Sequence, residues 1–363
     1  MAQISAQTEI AKEGFSSSDR DYKFVLADIS GITINAKEYP NKINNMLDSY
    51  KDLTLDQFCI KASFDSAYSG KYISDTMVKY VLSRGCRFVD FSLFPSTEEG
   101  RAYVGYSDDP IAVNSSAKNT NPFYFSTMLT SVLANAFANG QVPNPNDPLF
   151  IHLRFPSGMP KHDLKPLYKS VQNDIQSVYN SGYSDFFYVN KVTKRNSTYY
   201  DNIVNNKTRI RDIQRKAVII IENLPELNLP RNNSSSMTDN NFYNMLSNTN
   251  ILGQHVYSQI NPDKFIAYPP STTSNSKVKI NAPISLNMLV PDANAPANSQ
   301  GNPNIHSAIK DYGIQINSMK YYLKDMWLIE NETMFANYNA GILPMSLMLS
   351  YIKDRTGPVE MAL

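Results

Sequence analysis

Three charged residues stand at or just after the ends of predicted strands, where their side chains could do chemistry together. Asp65 follows a stretch that starts apolar and passes into small polar turn residues, Asp90 lies in an alternating stretch, and Arg154 ends an apolar one. Carboxylates can bind a cation or transfer a proton, and a guanidinium can form a bidentate bond to a carboxylate. We predict that Arg154 is the internal counter-ion of Asp90, with Asp65 as a second partner.

A strand, a helix and a second strand position the two aspartates. Ser74 can cap the helix, and Gly85 can take the left-handed position just after it. In the second strand, alternation places Asp90 and Ser92 on one face with Phe88. Because parallel strands need a crossover of this kind, the unit predicts an α/β fold with a parallel sheet.

The same residues resemble the X region of phosphoinositide-specific phospholipase C. The segments are CIKASFDSAY at 59–68, LSRGCRFVD at 82–90 and YVGYS at 103–107, against family patterns of roughly I-x-S-S-H-N-T-Y, L-x-x-G-C-R-x-x-E-x-D and Y-H-G-Y-T. Further similar segments follow in the family's order at 121–137, 148–154, 266–275, 312–322 and 335–345. Each segment alone is weakly specific, whereas the ordered set, which spans about residues 53–351, is fairly specific.

The resemblance implies an α/β fold, a TIM (β/α)8 barrel of the PLC-like phosphodiesterase type, either regular or distorted. It also implies an N-terminal extension and a long insertion after the sixth strand. The implied divisions are an extension at 1–52, a barrel at 53–352 and a C-terminal tail at 353–363. Within the barrel lie an X-like part at 53–224, a Y-like part at 251–352 and a surface insertion at about 272–304.

The positions of the family's two catalytic histidines are changed in this chain. The family hydrolyses a phosphodiester with these histidines as acid and base, and with a calcium ion bound by an Asn and three carboxylates. Phe64 and Val104 stand at the two histidine positions. Neither side chain can carry a proton, as a general acid or base must. The resemblance therefore implies a degenerate member in which no catalytic residue is expected.

The metal and phosphate positions implied by the resemblance are changed as well. Asp65, Asp90, Ser92 and Arg154 stand at the positions of the family's calcium ligands. Thr273 stands at the position of the arginine that binds phosphate in the family. Calcium prefers about six to eight oxygen ligands, so two carboxylates beside a guanidinium are a poor set. We expect these positions to be vestigial, with no metal and no cofactor bound.

Patterns further along the chain predict continued alternation of helix and strand. Helices are predicted at 163–182 and 202–215, with a short one near 242–246, and strands at 185–190, 217–222 and 265–268. The uninterrupted apolar strand 217–222 should be buried on both faces. Residues 277–290 alternate like a hairpin arm that covers the old pocket, or they form a plain surface loop.

Three features outside these motifs also carry expectations. The stretch 22–35 has enough β-branched and aromatic residues for one or two strands, and is interpreted either as a flap on the N-terminal face of the barrel or as an arm that docks on a neighbouring subunit. Cys59 and Cys86 are expected to be reduced, buried thiols rather than a disulfide. His152, in mid-strand, is expected to be a hydrogen-bonded core residue rather than a ligand.

Bulk composition bears on partners and compartment. The net charge is +1 at pH 7 and 18% of the residues are charged, so no broad attraction for nucleic acid or an anionic membrane is expected. The sequence lacks a run of about 20 apolar residues and a basic-then-apolar start, so neither a transmembrane segment nor a signal peptide is predicted. We expect a cytoplasmic or virion location, with membrane contact at most peripheral.

Three classes of function fit these observations. The first is a structural or adaptor protein in a larger protein assembly, and the Asn-rich style together with the resemblance would fit a capsid-associated component in the virion of a large DNA virus. The second is a module that binds a phospholipid headgroup without turnover. The third is an active phosphoric diester hydrolase that uses atypical residues such as Asp65, Asp90 or Tyr106. The missing acid and base favour the first class.

Overall fold

The computed structural model describes residues 26–28, 30–31, 42–96, 100–109, 112–156, 158–189, 191–194, 197–200, 204–222, 243–252, 255–260, 286–290 and 301–356. The strands are β1 (Phe58–Ser63), β2 (Phe88–Pro95), β3 (Ala102–Gly105), β4 (Phe123–Tyr124), β5 (Leu149–Arg154), β6 (Lys191–Lys194), β7 (Ser197–Tyr200), β8 (Ala217–Glu222), β9 (Met245–Leu252), β10 (His255–Ile260), β11 (Leu286–Val290), β12 (Ile316–Met319) and β13 (Ile342–Pro344). The α-helices are α1 (Asp75–Ser83), α2 (Phe125–Ala136), α3 (Lys161–Val178), α4 (Ile305–Tyr312), α5 (Met326–Asn337) and α6 (Met345–Thr356).

The strands pair into one central sheet and one separate hairpin. The order in the central sheet is β13-β1-β12-β11-β10-β9-β8-β5-β2-β3-β4, while β6 and β7 form the two-stranded hairpin. Strand β1 also pairs with β2 through Ala62 and Phe88, so the described pairings link β1, β2, β5, β8, β9, β10, β11 and β12 in a circuit. Neighbours in this circuit run parallel, except that β10 is antiparallel to β9 and β11.

This arrangement confirms a mixed α/β fold but does not confirm a regular TIM barrel. A regular barrel has eight parallel strands, each followed by a helix. Here β10 runs in the opposite direction, and only residues 253–254 separate it from β9, which leaves no room for a helix between them. The closed (β/α)8 barrel therefore stays a prediction.

Alternation along the strands divides the apolar core into two clusters. An inner cluster contains side chains such as Phe58 and Val218, and an outer cluster, which includes Ile219, lies between the sheet and helices α1, α2 and α3. Strand β8 thus buries both faces, as predicted. Cys59 and Cys86 are free, buried thiols, which confirms that prediction as well.

Helix α1 begins and ends where the sequence predicts. The Ser74 hydroxyl accepts a hydrogen bond from the Thr76 amide at 3.1 Å and so caps the first turn. Gly85 follows the C-cap residue with a φ of 83°, in the left-handed region that glycine adopts without strain. A Cβ at this position would lie 2.6 Å from Ile43 Cγ2, so close packing by the N-terminal segment also requires glycine here.

The described residues 42–50 pack on the amino ends of the strands. The Asn44 amide donates to the Asn339 carbonyl at 2.8 Å, and the Met46 amide donates to the Asp147 carboxylate at 3.0 Å. Met46 is buried in the inner cluster. These residues lie outside the stretch 22–35, for which the flap and arm interpretations were made, so their placement decides neither.

Residues 26–28 are helical, so the strand predicted within 22–35 is wrong at these positions. The Ser30 hydroxyl donates to the Ala27 carbonyl at 2.7 Å, a local bond of the kind that competes with strand pairing. The Asp28 carboxylate accepts from the Ser69 hydroxyl at 3.2 Å, which ties this turn to the loop after β1. Local contacts thus override the β propensity of the stretch.

The helix predicted at 202–215 is wrong for the described part of that range. Residues there form turns and a 3-10 segment at Ile210–Ile213. Val204, Ile210 and Ile213 belong to the inner cluster. The carbonyls of Asn206 and Thr208 accept hydrogen bonds from the amides of Asp56 and Leu55, which precede β1. Tertiary packing therefore overrides the helical spacing of the apolar residues.

Two shorter predictions are also wrong. The strand predicted at 185–190 is replaced by a short 3-10 turn and a single bridge from Phe187 to Ala217, because β5 and β9 already pair with the two sides of β8. The helix predicted near 242–246 is the start of β9, where the residues pair with β8 in parallel. The apolar residues in both places pack into the core around β8 instead of forming the predicted elements.

Some predicted features fall outside the described residues, namely the strand at 265–268 and the phosphate position Thr273. Of the predicted hairpin arm at 277–290, the described part is β11. This strand pairs with β10 and β12 inside the sheet instead of forming a surface arm. Within the described part of the chain, no helix has the length and apolar character needed to span a bilayer.

Candidate functional site

The carboxyl ends of β1 and β5 and the first half of β2 bring the three predicted charged residues together. Strands β2 and β5 are parallel neighbours, with Asp90 paired to His152 and Ser92 paired to Arg154. Asp65 lies two residues past the end of β1. In parallel α/β folds, functional side chains collect at this end of the strands. We call Asp65, Asp90 and Arg154 the mouth cluster.

Arg154 binds both aspartates of the mouth cluster. Its Nε donates to Asp90 Oδ1 at 2.9 Å and its Nη2 donates to Asp90 Oδ2 at 2.8 Å, which makes a bidentate pair. The same Nη2 donates to Asp65 Oδ1 at 2.7 Å. Both carboxylates are buried, whereas the Arg154 side chain is 20% exposed. The ion pairs predicted from the sequence are therefore present.

Further hydrogen bonds complete the mouth cluster. The Ser92 hydroxyl donates to Asp65 Oδ1 at 2.8 Å, and the Asp65 amide donates to Asp90 Oδ2 at 3.1 Å. His152 Nδ1 lies 2.7 Å from Asp90 Oδ1. His152 is thus a buried, hydrogen-bonded residue, as predicted.

The backbone of Asp65 adopts a strained conformation to reach this arrangement. Its φ of 41° lies in the left-handed region, which a non-glycine residue adopts at some cost. The next residue, Ser66, fixes the turn to β2, because its amide donates to the Asp90 carbonyl at 2.8 Å and its hydroxyl accepts from the Asp90 amide at 2.9 Å. The turn after β1 is therefore held by the same aspartate that binds Arg154.

The donor set of the mouth cluster does not fit the calcium ion that the family resemblance implies. Three of the four carboxylate oxygens of Asp65 and Asp90 accept hydrogen bonds from Arg154, Ser92, His152 or the backbone. The guanidinium brings a positive charge to the place where a hard cation would need oxygen ligands. Among the described residues, no group of three or more His, Cys, Asp or Glu side chains is arranged to hold a metal ion.

The two positions assigned to the family's histidines lie in different places. Phe64 is buried at the mouth cluster, and its ring centroid is 4.5 Å from the guanidinium carbon of Arg154. Val104 pairs with Leu93 and belongs to the outer cluster. Since paired residues of antiparallel strands share a face, Val104 points away from the mouth cluster. The structure brings Phe64 to the site and does not bring Val104 there.

Burial and neighbouring charges set the ionisation of the two aspartates apart. Burial, opposed by the Arg154 guanidinium and reinforced by the charge of Asp90, raises the pKa of Asp65 to about 6. Burial also opposes ionisation of Asp90, but Arg154 and the hydrogen bond to His152 outweigh it and hold the pKa of this carboxyl below its usual range. Burial disfavours the charged guanidinium, yet the two carboxylates outweigh it and raise the pKa of Arg154. With both aspartates ionised, the cluster carries one surplus negative charge.

Three tyrosines lie beside the mouth cluster. The rings of Tyr68 and Tyr106 stack with their centroids 3.7 Å apart, and the ring of Tyr322 stands edge-on to Tyr68 at 4.9 Å. Burial, followed by the nearby charge of Asp65, raises the pKa of Tyr106. A phenol with a raised pKa is a poor general base near neutral pH, so this position weakens the third class of function.

The sequence analysis did not identify Ser247, which completes this end of the sheet. Its hydroxyl oxygen lies 2.7 Å from His152 Nε2, and both side chains are fully buried. Ser247 pairs with Glu222 of β8. No motif marks this serine, and only the parallel pairing of β8 with β9 brings it to His152.

A second buried ion cluster lies on the outer face of β1. Lys61 Nζ lies 2.7 Å from Glu332 Oε1, and Arg84 Nε donates to Glu332 Oε2 at 2.9 Å. The Tyr321 hydroxyl donates to Glu332 Oε1 at 2.6 Å. We call Lys61, Arg84 and Glu332 the wall cluster, because it joins β1 to the end of α1 and to α5.

No protein-family model and no curated protein matches this chain. The similarities found are to solved structures. PLC21 from L. pealei is similar with a TM-score of 0.47 and 10% identity, over 84% of this chain and 38% of that one. PLC21 from S. officinalis is similar with a TM-score of 0.47 and 11% identity, over 82% of this chain and 38% of that one. A calcium-dependent phosphoinositol-specific phospholipase C from Pseudomonas sp. has a TM-score of 0.31 and 12% identity, over 59% of this chain and 71% of that one. This chain spans less than half the length of the two PLC21 proteins, and at these TM-scores the superpositions assign it no function.

Proposed function

We propose that this chain is a non-catalytic barrel of the phosphoinositide-specific phospholipase C type that acts as a structural or adaptor protein in a larger protein assembly, specifically as a capsid-associated component of a virion. The observation that carries the proposal is the position of Arg154, which is bonded to both Asp65 and Asp90. The ordered resemblance of the sequence segments supports the barrel type. The near-neutral net charge of +1 suits packing among other protein surfaces.

Loss of the family's acid and base supports the absence of phosphodiester hydrolysis. This reaction needs one group that takes a proton from the nucleophile and one that gives a proton to the leaving group. Phe64 can do neither, and its ring packs against Arg154. His152 stands at neither of the family's two histidine positions, and its ring nitrogens contact Asp90 and Ser247.

Charge at the mouth disfavours the second class, which is binding of a phospholipid headgroup. A phosphate site uses cations that remain available to the phosphate oxygens. Arg154 is shared by Asp65 and Asp90, and the charge of Glu222 also acts on it. Lys320 adds a second cation near Asp65, which leaves three carboxylates against two cations. This surplus repels a phosphate anion.

Enzymatic turnover tests the proposed loss of chemistry. The purified chain is incubated with phosphatidylinositol and with glycerophosphodiesters, with and without calcium. We expect no product above background, and the matched variant Asp90→Asn should give the same background. Calcium-dependent turnover that Asp90→Asn abolishes would show that the family's reaction is retained and would overturn the proposal.

Sedimentation tests the assembly role separately from the chemistry. The chain alone has a mass of 40.9 kDa. In gentle extracts of its native source, we expect it to sediment with a much larger complex and to cross-link to the same neighbouring proteins in repeated preparations. Sedimentation as a free chain would contradict the adaptor role, even if turnover is absent.

A further inference from the structure

Asp90, His152 and Ser247 form a hydrogen-bonded chain that the proposed function does not use. Asp90 Oδ1 lies 2.7 Å from His152 Nδ1, and His152 Nε2 lies 2.7 Å from Ser247 Oγ. A serine bonded to an imidazole that is itself oriented by a carboxylate is the arrangement of an activated nucleophile on several unrelated folds. These three side chains therefore have the geometry of a serine nucleophile with its base.

The direction of both hydrogen bonds follows from the ionised state of Asp90. Arg154 binds both oxygens of this carboxylate and keeps it charged, so Asp90 can only accept hydrogen bonds. His152 must then carry a proton on Nδ1, and in the neutral imidazole Nε2 accepts from the Ser247 hydroxyl. In this tautomer Nε2 is a base for the Ser247 proton, while Asp90 positions the ring.

Ser247 lies in the layer of inward-facing residues nearest the mouth. It pairs with Glu222, and Arg154 holds the corresponding level on β5. Glu222 is half-buried and Arg154 is 20% exposed, so this layer borders solvent, although Ser247 itself is buried. Because Ser247 is fully buried, the inference requires that a substrate displace Arg154 or Glu222 to reach the hydroxyl.

The charge of the mouth selects the class of substrate. Asp65, Asp90 and Glu222 act on Arg154, and this surplus of carboxylates repels an anionic phosphodiester. A neutral carbonyl compound meets no such repulsion. A small, neutral carboxylic ester fits this condition.

The geometry points to a carboxylic ester hydrolase site in which Ser247 is the nucleophile, His152 is the general base and acid, and Asp90 is a positioning residue. Ser247 Oγ forms a bond to the ester carbonyl carbon while its proton passes to His152 Nε2. The bond from that carbon to the alkoxy oxygen breaks, and His152 gives the proton to the leaving alcohol. Water then attacks the acyl-serine and gives a proton to His152, and Ser247 Oγ takes this proton as the carboxylic acid leaves. This activity goes beyond the proposed function, whose loss of catalysis concerns phosphodiester hydrolysis alone, and the ester and phosphodiester assays therefore test the two proposals separately.

Labelling of the folded chain with a fluorophosphonate probe tests this site. We expect one adduct, located on Ser247 by peptide mass mapping, together with hydrolysis of p-nitrophenyl acetate above background. Ser247→Ala should lose both signals. His152→Gln should lower the labelling rate by about 100-fold or more, because the base is removed. Ser83→Ala is the matched control, since this hydroxyl bonds to the Tyr80 carbonyl at the end of α1, and it should label like the wild type.

A role of His152 in activation, rather than in structure alone, is tested by the dependence of the labelling rate on pH. We expect the wild-type rate to change with pH, and this dependence to be weaker in His152→Gln. Absence of an adduct on Ser247 in the folded wild type overturns the inference, and so does equal labelling of His152→Gln. If the variants fail to fold, the same labelling is measured on the wild type unfolded in urea. Labelling of Ser247 should then disappear, because unfolding breaks the hydrogen bonds to His152. Labelling that persists in urea overturns the inference.

Discussion

The mouth cluster and the wall cluster are both buried ion clusters, but carboxylates outnumber cations in the first and cations outnumber carboxylates in the second. In the mouth cluster, two carboxylates share the guanidinium of Arg154, whereas in the wall cluster the single carboxylate of Glu332 binds two cations. Burial opposes ionisation of Glu332, but the two cations outweigh it and lower the pKa of this carboxyl. Burial instead raises the pKa of Asp65 to about 6 in the mouth cluster, where Arg154 only partly offsets it.

The difference separates a structural joint from a site that retains an electrostatic conflict. The wall cluster connects a strand to two helices and satisfies its carboxylate fully, which is what stability requires of a buried charge. The mouth cluster keeps a surplus carboxylate at the carboxyl ends of the strands, next to a residue with left-handed backbone. A carboxyl pKa raised by burial next to a strained backbone is more typical of functional sites than of structural ion pairs.

Neutralising Glu332 should have the largest effect on stability. Glu332→Gln leaves Lys61 and Arg84 buried without a carboxylate, and breaking a buried ion pair in this way costs about 3–5 kcal/mol. Urea denaturation at neutral pH measures the change in the free energy of unfolding. Asp48→Asn, at a carboxylate that is 91% exposed, is the control and should unfold like the wild type. A cost for Glu332→Gln as small as that of the control would contradict the role of the wall cluster as a joint.

Removing the Arg154 guanidinium should have the next largest effect. Arg154→Met leaves Asp65 and Asp90 without their counter-ion, and because the arginine is 20% exposed we expect a cost of about 2–4 kcal/mol, below that of a fully buried pair. The same denaturation assay measures it. Arg355→Met, at a side chain that is 49% exposed, should cost less than about 1 kcal/mol. Equal costs for the two arginine variants would mean that the mouth cluster contributes no more than a surface ion pair.

The pH dependence of stability should have opposite signs for Asp65 in the mouth cluster and Glu332 in the wall cluster. Asp65 has a raised pKa in the folded state, so its contribution is present below the usual aspartate pKa and is lost as the pH rises through about 6. Asp65→Asn lacks this loss, and its stability relative to the wild type should therefore increase by about 1–3 kcal/mol between about pH 4 and pH 7. For Glu332, whose pKa is lowered, the contribution is present above the usual glutamate pKa and is lost as the pH falls below it.

Free energies of unfolding for wild type, Asp65→Asn and Glu332→Gln, taken across this pH range and below it, provide the measurement. The difference between wild type and Glu332→Gln should shrink only at the acid end. A difference between wild type and Asp65→Asn that is constant with pH would show that Asp65 is not under electrostatic conflict.

The contact between Phe64 and Arg154 should give the smallest effect. A buried cation over an aromatic ring contributes about 1 kcal/mol. Phe64→Leu, made both in the wild type and in Arg154→Met, forms a double-mutant cycle that isolates this term. We expect a coupling of about 0.5–1 kcal/mol. A coupling of zero would mean that Phe64 only fills space at the position of the family's histidine.

The mouth cluster could be predicted from sequence because each of its members lies in or directly after a strand that the local pattern predicts. The helix between β1 and β2 shows its cap at Ser74 and its end at Gly85, and the parallel crossover then brings strand ends to one edge of the sheet. Asp90 within β2 and Arg154 at the end of β5 lie on the same face of neighbouring parallel strands, so their side chains meet once these strands are adjacent. The local sequence pattern and the rule that a helix crossover joins parallel strands were sufficient to predict the mouth cluster.

Other parts of the site depend on pairings that no local pattern shows. Ser247 reaches His152 only because β9 pairs with β8, and the polar residues around it have no clear alternation. Val104 faces outward because of the register between β2 and β3, where a shift of one residue would reverse the face. Lys61 interrupts an apolar strand in sequence, and its partner Glu332 comes from a helix near the other end of the chain. Such long-range contacts could not be inferred from the residues alone.

Calcium titration by calorimetry tests most directly whether Arg154 has taken the place of a metal ion between the two aspartates. We predict no saturable heat for the wild-type chain at millimolar calcium, and the same trace for Asp90→Asn, because the carboxylate oxygens are engaged by Arg154 and its neighbours. Saturable binding at one site that Asp90→Asn abolishes would contradict this. It would mean that the guanidinium yields to calcium and that the family's metal chemistry is retained.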